Sequence, residues 1–384
     1  MDFEWVSTTG RLRTLSQQLA SRSLLAVDTE FIRMDTFYPI PGLLQLADQE
    51  QAWLIDPLAL PRPHELARLF YAETCTKVIH ACFEDLEVIE ILTRLRCRSV
   101  FDTQLAASYL NYGPQVGYQR LLHDELQIDI VKEESRSDWL QRPLSAEQID
   151  YAVKDVEHLL PLYEHLRQRL QALGHWDKVL EDNRLLLSER QEINDPHLLY
   201  SQIPNAWKLN RSSLNVLRAL CLWREQEAMQ RDLPRNFLLR STSLLPLAHA
   251  LPSTKSQLAA IEGVTPRILR REGDAILKVI RTAAHDEPQR WPPLLLFPWP
   301  RSIKEVVEGM KNVVQKQAQW VGLPVDVLIK KRHYEEMLEF LLGVRQPSER
   351  WLGWRKEVVY NPLMAWLAPQ RHELMQWLQS RQRQ

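Results

Sequence analysis

The sequence predicts an α/β domain built on a mixed sheet, followed by two small all-helical domains. Three observations lead there. Short apolar runs of strand length alternate with helix-period segments in the first half, that alternation stops near residue 195, and Pro-rich punctuation divides the remainder into two similar helical stretches. A chain of 384 residues is also too long for one ordinary core, because domains cluster near ~100–150 residues.

The strand-like runs come first. LLAVD at 24–28, GLLQLA at 42–47 and AWLID at 52–56, the last stopped by Pro57, read as three consecutive strands of an antiparallel meander. KVIH at 77–80 reads as a fourth, feeding a helix over 83–95 with Leu86, Ile89 and Leu92 on one face. Another helix starts at Ser145, with Glu147 and Gln148 as capping partners, and runs through Tyr151, Val153, Val156, Leu159 and Leu160. Pro161 marks a kink or a boundary in that pattern, and helical periodicity continues to about residue 192. Asn194-Asp195-Pro196 then punctuates the chain, which gives a first domain at 1–195.

Beyond it the pattern is helical and repeats. The first helical domain is expected at 203–284, with a helix over 211–231, the break DLPR at 232–235 and a short segment at 258–261 before Gly263. The second, less regular one is expected at 300–378, with a helix over 304–321 and the break GLPV at 322–325. The run WPPLLLFPWP at 291–300 separates them.

Composition bounds the class. With 45% hydrophobic and 25% charged residues, 13 Trp, 10 Tyr and 9 Phe, the chain has the material for packed cores rather than disorder. Cys75, Cys82, Cys97 and Cys221 form no Cys-x-x-Cys pair, which suits neither a zinc site nor a disulfide framework. The first residues carry acids and no basic-then-apolar run, and no window reaches the ~18 apolar residues of a membrane span, so a cytoplasmic, membrane-free protein is expected, with a monomer as the default. The net charge of −1 hides an asymmetry: residues 1–195 carry 20 Lys+Arg against 32 Asp+Glu, a net of −12, and residues 196–384 carry 28 against 17, a net of +11. An acidic half joined to a basic half points to a polyanionic partner.

Three pieces of sequence can carry chemistry. Asp28 and Glu30 stand two apart at the end of an apolar strand, so the pleat sends both carboxylates to one face, where they repel. An isolated Asp-x-Glu is far more often a solvated strand end. Asp85 lies near the start of the helix after the fourth strand, where an acid also simply complements the helix dipole. Tyr151 and Asp155 lie one turn apart on one helix face, a spacing equally suited to a local pair at a core edge.

Their order is more specific than any one of them. Asp-x-Glu, then an Asp ~55 residues later, then Tyr-x-x-x-Asp, in the segments LLAVDTEF at 24–31, HACFEDLEVI at 80–89 and YAVKDVEHLL at 151–160, resembles the DEDD exonuclease superfamily in its tyrosine-bearing branch. With FDTQLAASYLN at 101–111, SDWLQRPLS at 137–145 and the two helical units, the resemblance narrows to the ribonuclease D family and spans nearly the whole chain. The helical units resemble HRDC domains. His80 and Asp85 have the His-x-x-x-x-Asp spacing of the histidine-bearing branch, but that pair falls in the middle segment and Tyr151 occupies the last.

The resemblance implies a ribonuclease H-like fold for the 3′-5′ exonuclease domain at 1–195, two HRDC domains after it, and release of nucleoside 5′-monophosphates from RNA. It implies that Asp28, Glu30, Asp85 and Asp155 hold two divalent cations, Mg²⁺ or Mn²⁺, which also suit a set of hard oxygen ligands. Asp28 would bridge the ions, Glu30 and Asp155 would complete the site that activates water, and Asp85 would act through the second ion's water shell. Tyr151, with a reference pKa near ~10, is suited to orienting that water rather than deprotonating it. Thr29, Phe31 and His80 flank these acids and are candidates for substrate contact, although a lone strand-end His is more often a packing residue. RNA, in particular tRNA precursors with 3′ extensions, is the expected partner, gripped by basic runs such as residues 330–332 (KKR) or 267–271 (RILRR). Such runs are more often solvated helix faces. Removal of residues 200–384 is accordingly expected to weaken binding of structured RNA more than hydrolysis of a short oligonucleotide. A DNA 3′ exonuclease, or a non-catalytic RNA-binding protein on the same fold, are the alternatives. The acids do not read a 2′-hydroxyl, but all four and the Tyr are present. No Gly-x-x-x-x-Gly-Lys-[Ser/Thr] loop occurs, which disfavours an ATP-driven helicase.

Overall fold

The computed structural model describes residues 1–60, 64–130, 137–193, 195–295 and 303–382. Asn194 of the expected boundary and residues 296–300 of the Pro-rich run lie outside the described residues.

The strands are β1 (Asp2–Val6), β2 (Leu24–Ile32), β3 (Ile40–Ala47), β4 (Gln51–Ile55), β5 (Thr76–Ile79) and β6 (Val100–Asp102). Among the described residues they form one six-stranded sheet in the order β1-β4-β3-β2-β5-β6. β2, β3 and β4 make the antiparallel meander that the apolar runs predict, and β1/β4, β2/β5 and β5/β6 pair in parallel, so the sheet is mixed. β1 and β6 are not legible beforehand. One reads DFEWV and the other is three residues long, and both are strands because a neighbour offers them a ladder.

Side chains alternate across the sheet, and each face has its own core. Ala26, Leu43, Ala47, Leu54, Val78 and Phe101 belong to one cluster; Leu25, Val27, Leu44, Leu46, Ile55 and Ile79 belong to the other. Burial on both faces is why these strands read as near-continuous apolar runs. On the second face lie α1 (Thr9–Leu19), α2 (Ala67–Tyr71) and α3 (Phe83–Thr93), which supply Leu12, Leu15, Leu69, Leu86 and Ile89. On the first lie α4 (Thr103–Ser108), α5 (Tyr118–Leu126), α6 (Ala146–Glu157), α7 (Leu159–Ala172) and the start of α8 (Trp176–Ile193).

Ser145 does cap α6: its hydroxyl accepts from the Gln148 N–H while the Gln148 side chain accepts from the Ser145 N–H, a complete capping box. The predicted helix through residue 160 is in fact two, with the break at His158. Pro161 falls in the first turn of α7, where no intrahelical donor is needed.

The helical part contains α9 (Arg211–Arg231), α10 (Arg235–Leu238), α11 (Ser241–Ala250), α12 (Lys255–Ala259) and α13 (Pro266–Ala284), then α14 (Lys304–Val321), α15 (Val325–Leu328), α16 (His333–Leu342), α17 (Asn361–Leu367) and α18 (Arg371–Gln382). The two stretches share one backbone feature. α9 and α14 both end on a left-handed residue, Asp232 and Gly322, and Leu233 and Leu323 each donate to the carbonyl of an alanine five residues back. A proline and a four-residue helix follow in both copies. The copies diverge after their ten-residue helices, α11 and α16; a π-helix at Lys356–Tyr360 follows in the second.

Packing does not follow chain order. The described parts of residues 1–32, 40–188 and 299–384 form one compact unit, and those of 33–39 and 189–298 form another. The expected division at 1–195, 203–284 and 300–378 therefore cuts through one packed body. Met310, Val314, Trp351 and Leu363 share a cluster with Trp139, Val156 and Leu162 of the sheet's first face. Arg355, 1% exposed, holds both carboxylate oxygens of Asp182 on α8 at 2.5 and 2.7 Å. The second unit has its own core, with Leu214, Leu217, Leu220, Leu244, Leu247 and Ile276.

Candidate active site

The alternation that builds the two cores also builds the site. Along β2, Ala26 faces the first core, and Asp28 and Glu30 continue that series toward α6. Leu25 and Val27 face the second, and Thr29 continues that series toward α3. The acids fall beyond Ala26, where β2 has left β5 but still pairs with β3, with a register shift between Glu30 and Phe31. α6 brings Asp155 to them, so that oxygens of Asp28, Glu30 and Asp155 all lie within 4.8 Å of one another. Tyr151, one turn before Asp155, faces the same three carboxylates. Its ring is 6.0 Å from that of Trp139, whose backbone passes close over Gly42; a Cβ there would lie 2.7 Å from the Trp139 carbonyl oxygen, so only glycine admits this stretch of backbone. The Trp139 loop is held by Arg142, which donates to both oxygens of Asp56 at 2.9 and 2.6 Å and to the Gly42 carbonyl at 2.7 Å.

Asp85 enters from the other face, on the first turn of α3. Thr29 donates its hydroxyl to it at 2.6 Å. The approach of α3 is fixed by Asp102, whose carboxylate accepts from the backbone N–H groups of Ala81 and Cys82 as well as from Gln104 and Leu105 at the start of α4. Ala81 is left-handed, with φ 58°.

Burial sets the electrostatics. It pushes the Asp28 carboxyl well above its ordinary range, and the neighbouring Asp85, Asp155 and Glu30 push it further. Burial also raises Asp85, to about 7, against the lowering effect of the Thr29 hydroxyl. Burial and then Asp155, Glu30 and Asp28 hold the Tyr151 phenol above its usual value, so it is protonated at neutral pH. Gln45, pairing with Asp28 across the sheet, donates to its Oδ2 at 3.4 Å and keeps a buried Oε1 with no hydrogen-bond partner. An all-carboxylate donor set crowded beside an orphaned carbonyl oxygen fits hard divalent cations.

The acids line a cavity of about 270 Å³, with Phe31, Glu84, Tyr118 and Gln119 among its other walls. All the predicted site residues reach it, but not in equal positions. The Thr29 hydroxyl is spent on Asp85. His80 has both ring nitrogens engaged, Nε2 donating to the Val116 carbonyl at 3.0 Å and Nδ1 accepting from the Thr103 hydroxyl at 2.9 Å, and burial keeps it neutral; it is a wall rather than a ligand. Gln45, Asp102 and Tyr118 went unnoticed in the sequence. Gln45 and Tyr118 belong to no spacing pattern with the acids, and Asp102 signals only the cap of α4.

Carboxylates this crowded, facing a protonated tyrosine at the end of a mixed sheet, define a class, the metal-dependent 3′-5′ exonucleases; residues 3–171 match the family model described as 3′-5′ exonuclease, and residues 213–280 match that of the HRDC domain. The relatives are more particular. The chain is 38% identical to Ribonuclease D of Pseudomonas paraeruginosa over 366 residues, 94% of this chain and 97% of that protein. It is 32% identical to Ribonuclease D of Musicola paradisiaca, covering 96% of this chain and 99% of the relative. Its structure resembles the crystal structure of Escherichia coli RNase D with a TM-score of 0.86 at 28% identity, over 98% of this chain and 99% of that one. The chain belongs to the ribonuclease D family and is a metal-dependent 3′-5′ exoribonuclease.

Proposed function

We propose that the chain trims the 3′ ends of tRNA precursors and other small stable RNAs in the cytoplasm, as a monomer, releasing nucleoside 5′-monophosphates with the help of two Mg²⁺ or Mn²⁺ ions. The observation that carries this is the convergence of Asp28, Glu30 and Asp155 oxygens within 4.8 Å under Tyr151. The E. coli relative is described as an exoribonuclease involved in structured RNA processing, which supports the substrate class.

Asp28, Glu30 and Asp155 would hold one cation in this reading, and Asp85 would help to hold the second. Two such ions supply charge against the phosphate and ease the ionisation of water. The protein's own part is positional. A half-buried, protonated Tyr151 donates a hydrogen bond to the attacking water and aims it at the terminal phosphorus, in line with the P–O3′ bond that breaks. Thr29 keeps Asp85 turned toward the site. Phe31, on the cavity wall, packs against the terminal nucleotide.

In this reading the exonuclease segment is 1–195 and the HRDC-type segments are 203–284 and 300–378, the last packed into one compact unit with the exonuclease segment and read as HRDC-type from the shared cap, proline and short-helix sequence. The test is a tRNA carrying a 3′ extension, incubated with Mg²⁺ and resolved by length beside a matched DNA. A ladder ending near the mature end supports the reading; internal cuts, or faster loss of the DNA, overturn it.

A further inference from the structure

Gln45 is fully buried in the middle of β3, on a stripe that is otherwise apolar. Leu43 before it and Ala47 after it face the sheet's first core, while Leu44 and Leu46 face the second. Gln45 stands on the first face, opposite Asp28 in the β2/β3 ladder. Packing gives no reason for an amide there, since a methionine or leucine would fill the same space without a polar group to bury.

Its hydrogen bonding is one-sided. Nε2 donates to Asp28 Oδ2 at 3.4 Å, and among the described residues this is the amide's one hydrogen bond; Oε1 is buried with no donor. An unpaired buried carbonyl oxygen costs stability, and native structures tolerate few of them. The amide is therefore a poor core group whose single contact is a carboxylate of the site. Gln45 is not among the residues that line the acid cavity, so what it does there is done through Asp28.

Asp28 needs such a hold. Beyond Ala26 the strand has left β5, and at Asp28 it is paired to β3 alone. Oxygens of Glu30 and Asp155 crowd the same carboxylate. An ionised carboxylate only accepts, so a donor reaching it from the neighbouring strand opposes the turning that repulsion from those acids favours.

We propose that Gln45 is a positioning residue for the metal centre: its amide holds Asp28 Oδ2 from across the sheet, so that Asp28 meets a cation in one orientation, together with Glu30 and Asp155. The inference rests on the reading of these acids as cation ligands. Removing a hydrogen bond to a ligating carboxylate typically weakens metal binding or activity by about 10- to 100-fold.

The probe is Mn²⁺ alone, titrated into the full chain at one fixed pH with the free ion followed by electron paramagnetic resonance. Thermal melting in EDTA and steady-state hydrolysis of a short RNA accompany it. Gln45→Met keeps the volume and removes the donor. It is expected to melt no lower than the wild type in EDTA and to bind Mn²⁺ about tenfold more weakly. Its kcat is expected to fall several-fold with KM for RNA within about twofold, and excess Mn²⁺ to restore part of the kcat. Gln45→Asn, still an amide but one methylene short of Asp28, is expected to weaken Mn²⁺ binding as much as Gln45→Met does. Wild-type Mn²⁺ affinity in either variant, or a KM raised as far as kcat is lowered, overturns the role. So does a Gln45→Met chain that melts well below the wild type in EDTA, because the amide is then a packing element. If the wild type binds Mn²⁺ and Gln45→Met binds it equally well, only this inference fails; a wild-type chain that binds no Mn²⁺ removes the cation reading of the acids and this role with it.

Discussion

Thr29 donates its hydroxyl to Asp85 across 2.6 Å, and neither residue is more than 8% exposed. The bond ties the strand that carries Asp28 and Glu30 to the helix that carries Asp85, so the two halves of the acid set move as one. Thr29→Val is expected to lower kcat several-fold with little change in KM, and to destabilise the fold by about 1–2 kcal/mol through the unsatisfied partner. Steady-state kinetics and thermal melting check both; a larger effect on KM than on kcat would count against a positioning role.

Tyr151→Phe keeps the ring on Trp139 and removes only the hydroxyl. It is expected to reduce kcat by about 10²-fold or more while RNA affinity stays within about twofold. Because the phenol stays protonated well above neutrality, the variant is also expected to leave the shape of the pH–rate profile below pH 9 unaltered; appearance or loss of a limb there would make Tyr151 a base.

Asp28→Asn removes one of the crowded negative charges. In EDTA it is expected to raise the melting temperature, because burial and three neighbouring acids disfavour the Asp28 carboxylate. It is also expected to abolish hydrolysis and most of the stabilisation that Mg²⁺ or Mn²⁺ gives the wild type. Full activity with Mg²⁺ would remove the two-metal reading.

Metal removal is expected to make stability depend on pH with a definite sign. The folded-state pKa of Asp85, about 7, lies above the ordinary 3.8, so the folded chain holds that proton more tightly than the unfolded one. Its contribution is therefore lost as pH rises from about 4 through about 7, and Asp28 acts in the same direction. In EDTA the melting temperature is expected to fall between pH 5 and pH 8. Asp85→Asn flattens the fall, and saturating Mg²⁺ offsets it at pH 8.

Arg355 and Asp182 form a buried pair, 1% and 7% exposed, with Tyr109 donating to the same carboxylate at 2.7 Å. Arg355→Met is expected to destabilise the unit by about 3–5 kcal/mol, since it strands a buried carboxylate. The pair also changes the meaning of removing residues 200–384. That deletion takes away Arg355 and much of a shared core, so it is expected to leave an aggregating or partly unfolded fragment by circular dichroism, and loss of hydrolysis in it would say nothing about grip.

The meander, α3, α6 and the long helices α9 and α14 were readable because their apolar periods match their geometry. The capping box at Ser145 was readable because it is local. β1 and β6 were not, since a ladder offered by a distant strand outweighs weak intrinsic preference. The acids were readable as an ordered set, Asp28, Glu30, Asp85, Tyr151 and Asp155. Their supports, Thr29, Gln45 and Trp139, were not readable as such, because hydrogen bonding and packing across the sheet leave no period in the chain.

By itself, then, the sequence put Asp28 with Glu30 on one strand face and Tyr151 with Asp155 on one helix face, because strand pleat and helix turn are short-range and obey fixed periods. That Asp85 belongs with them was implied only by the order of motifs shared with the family the chain resembles. Only the tertiary structure decided that Asp85 arrives from the opposite face of the sheet, that His80 is locked into a wall, and that the last helical unit completes the first domain's core instead of standing apart. These depend on which apolar surfaces meet across long stretches of chain. Burial free energy is proportional to area and blind to sequence separation, so no local pattern records its choice of partner.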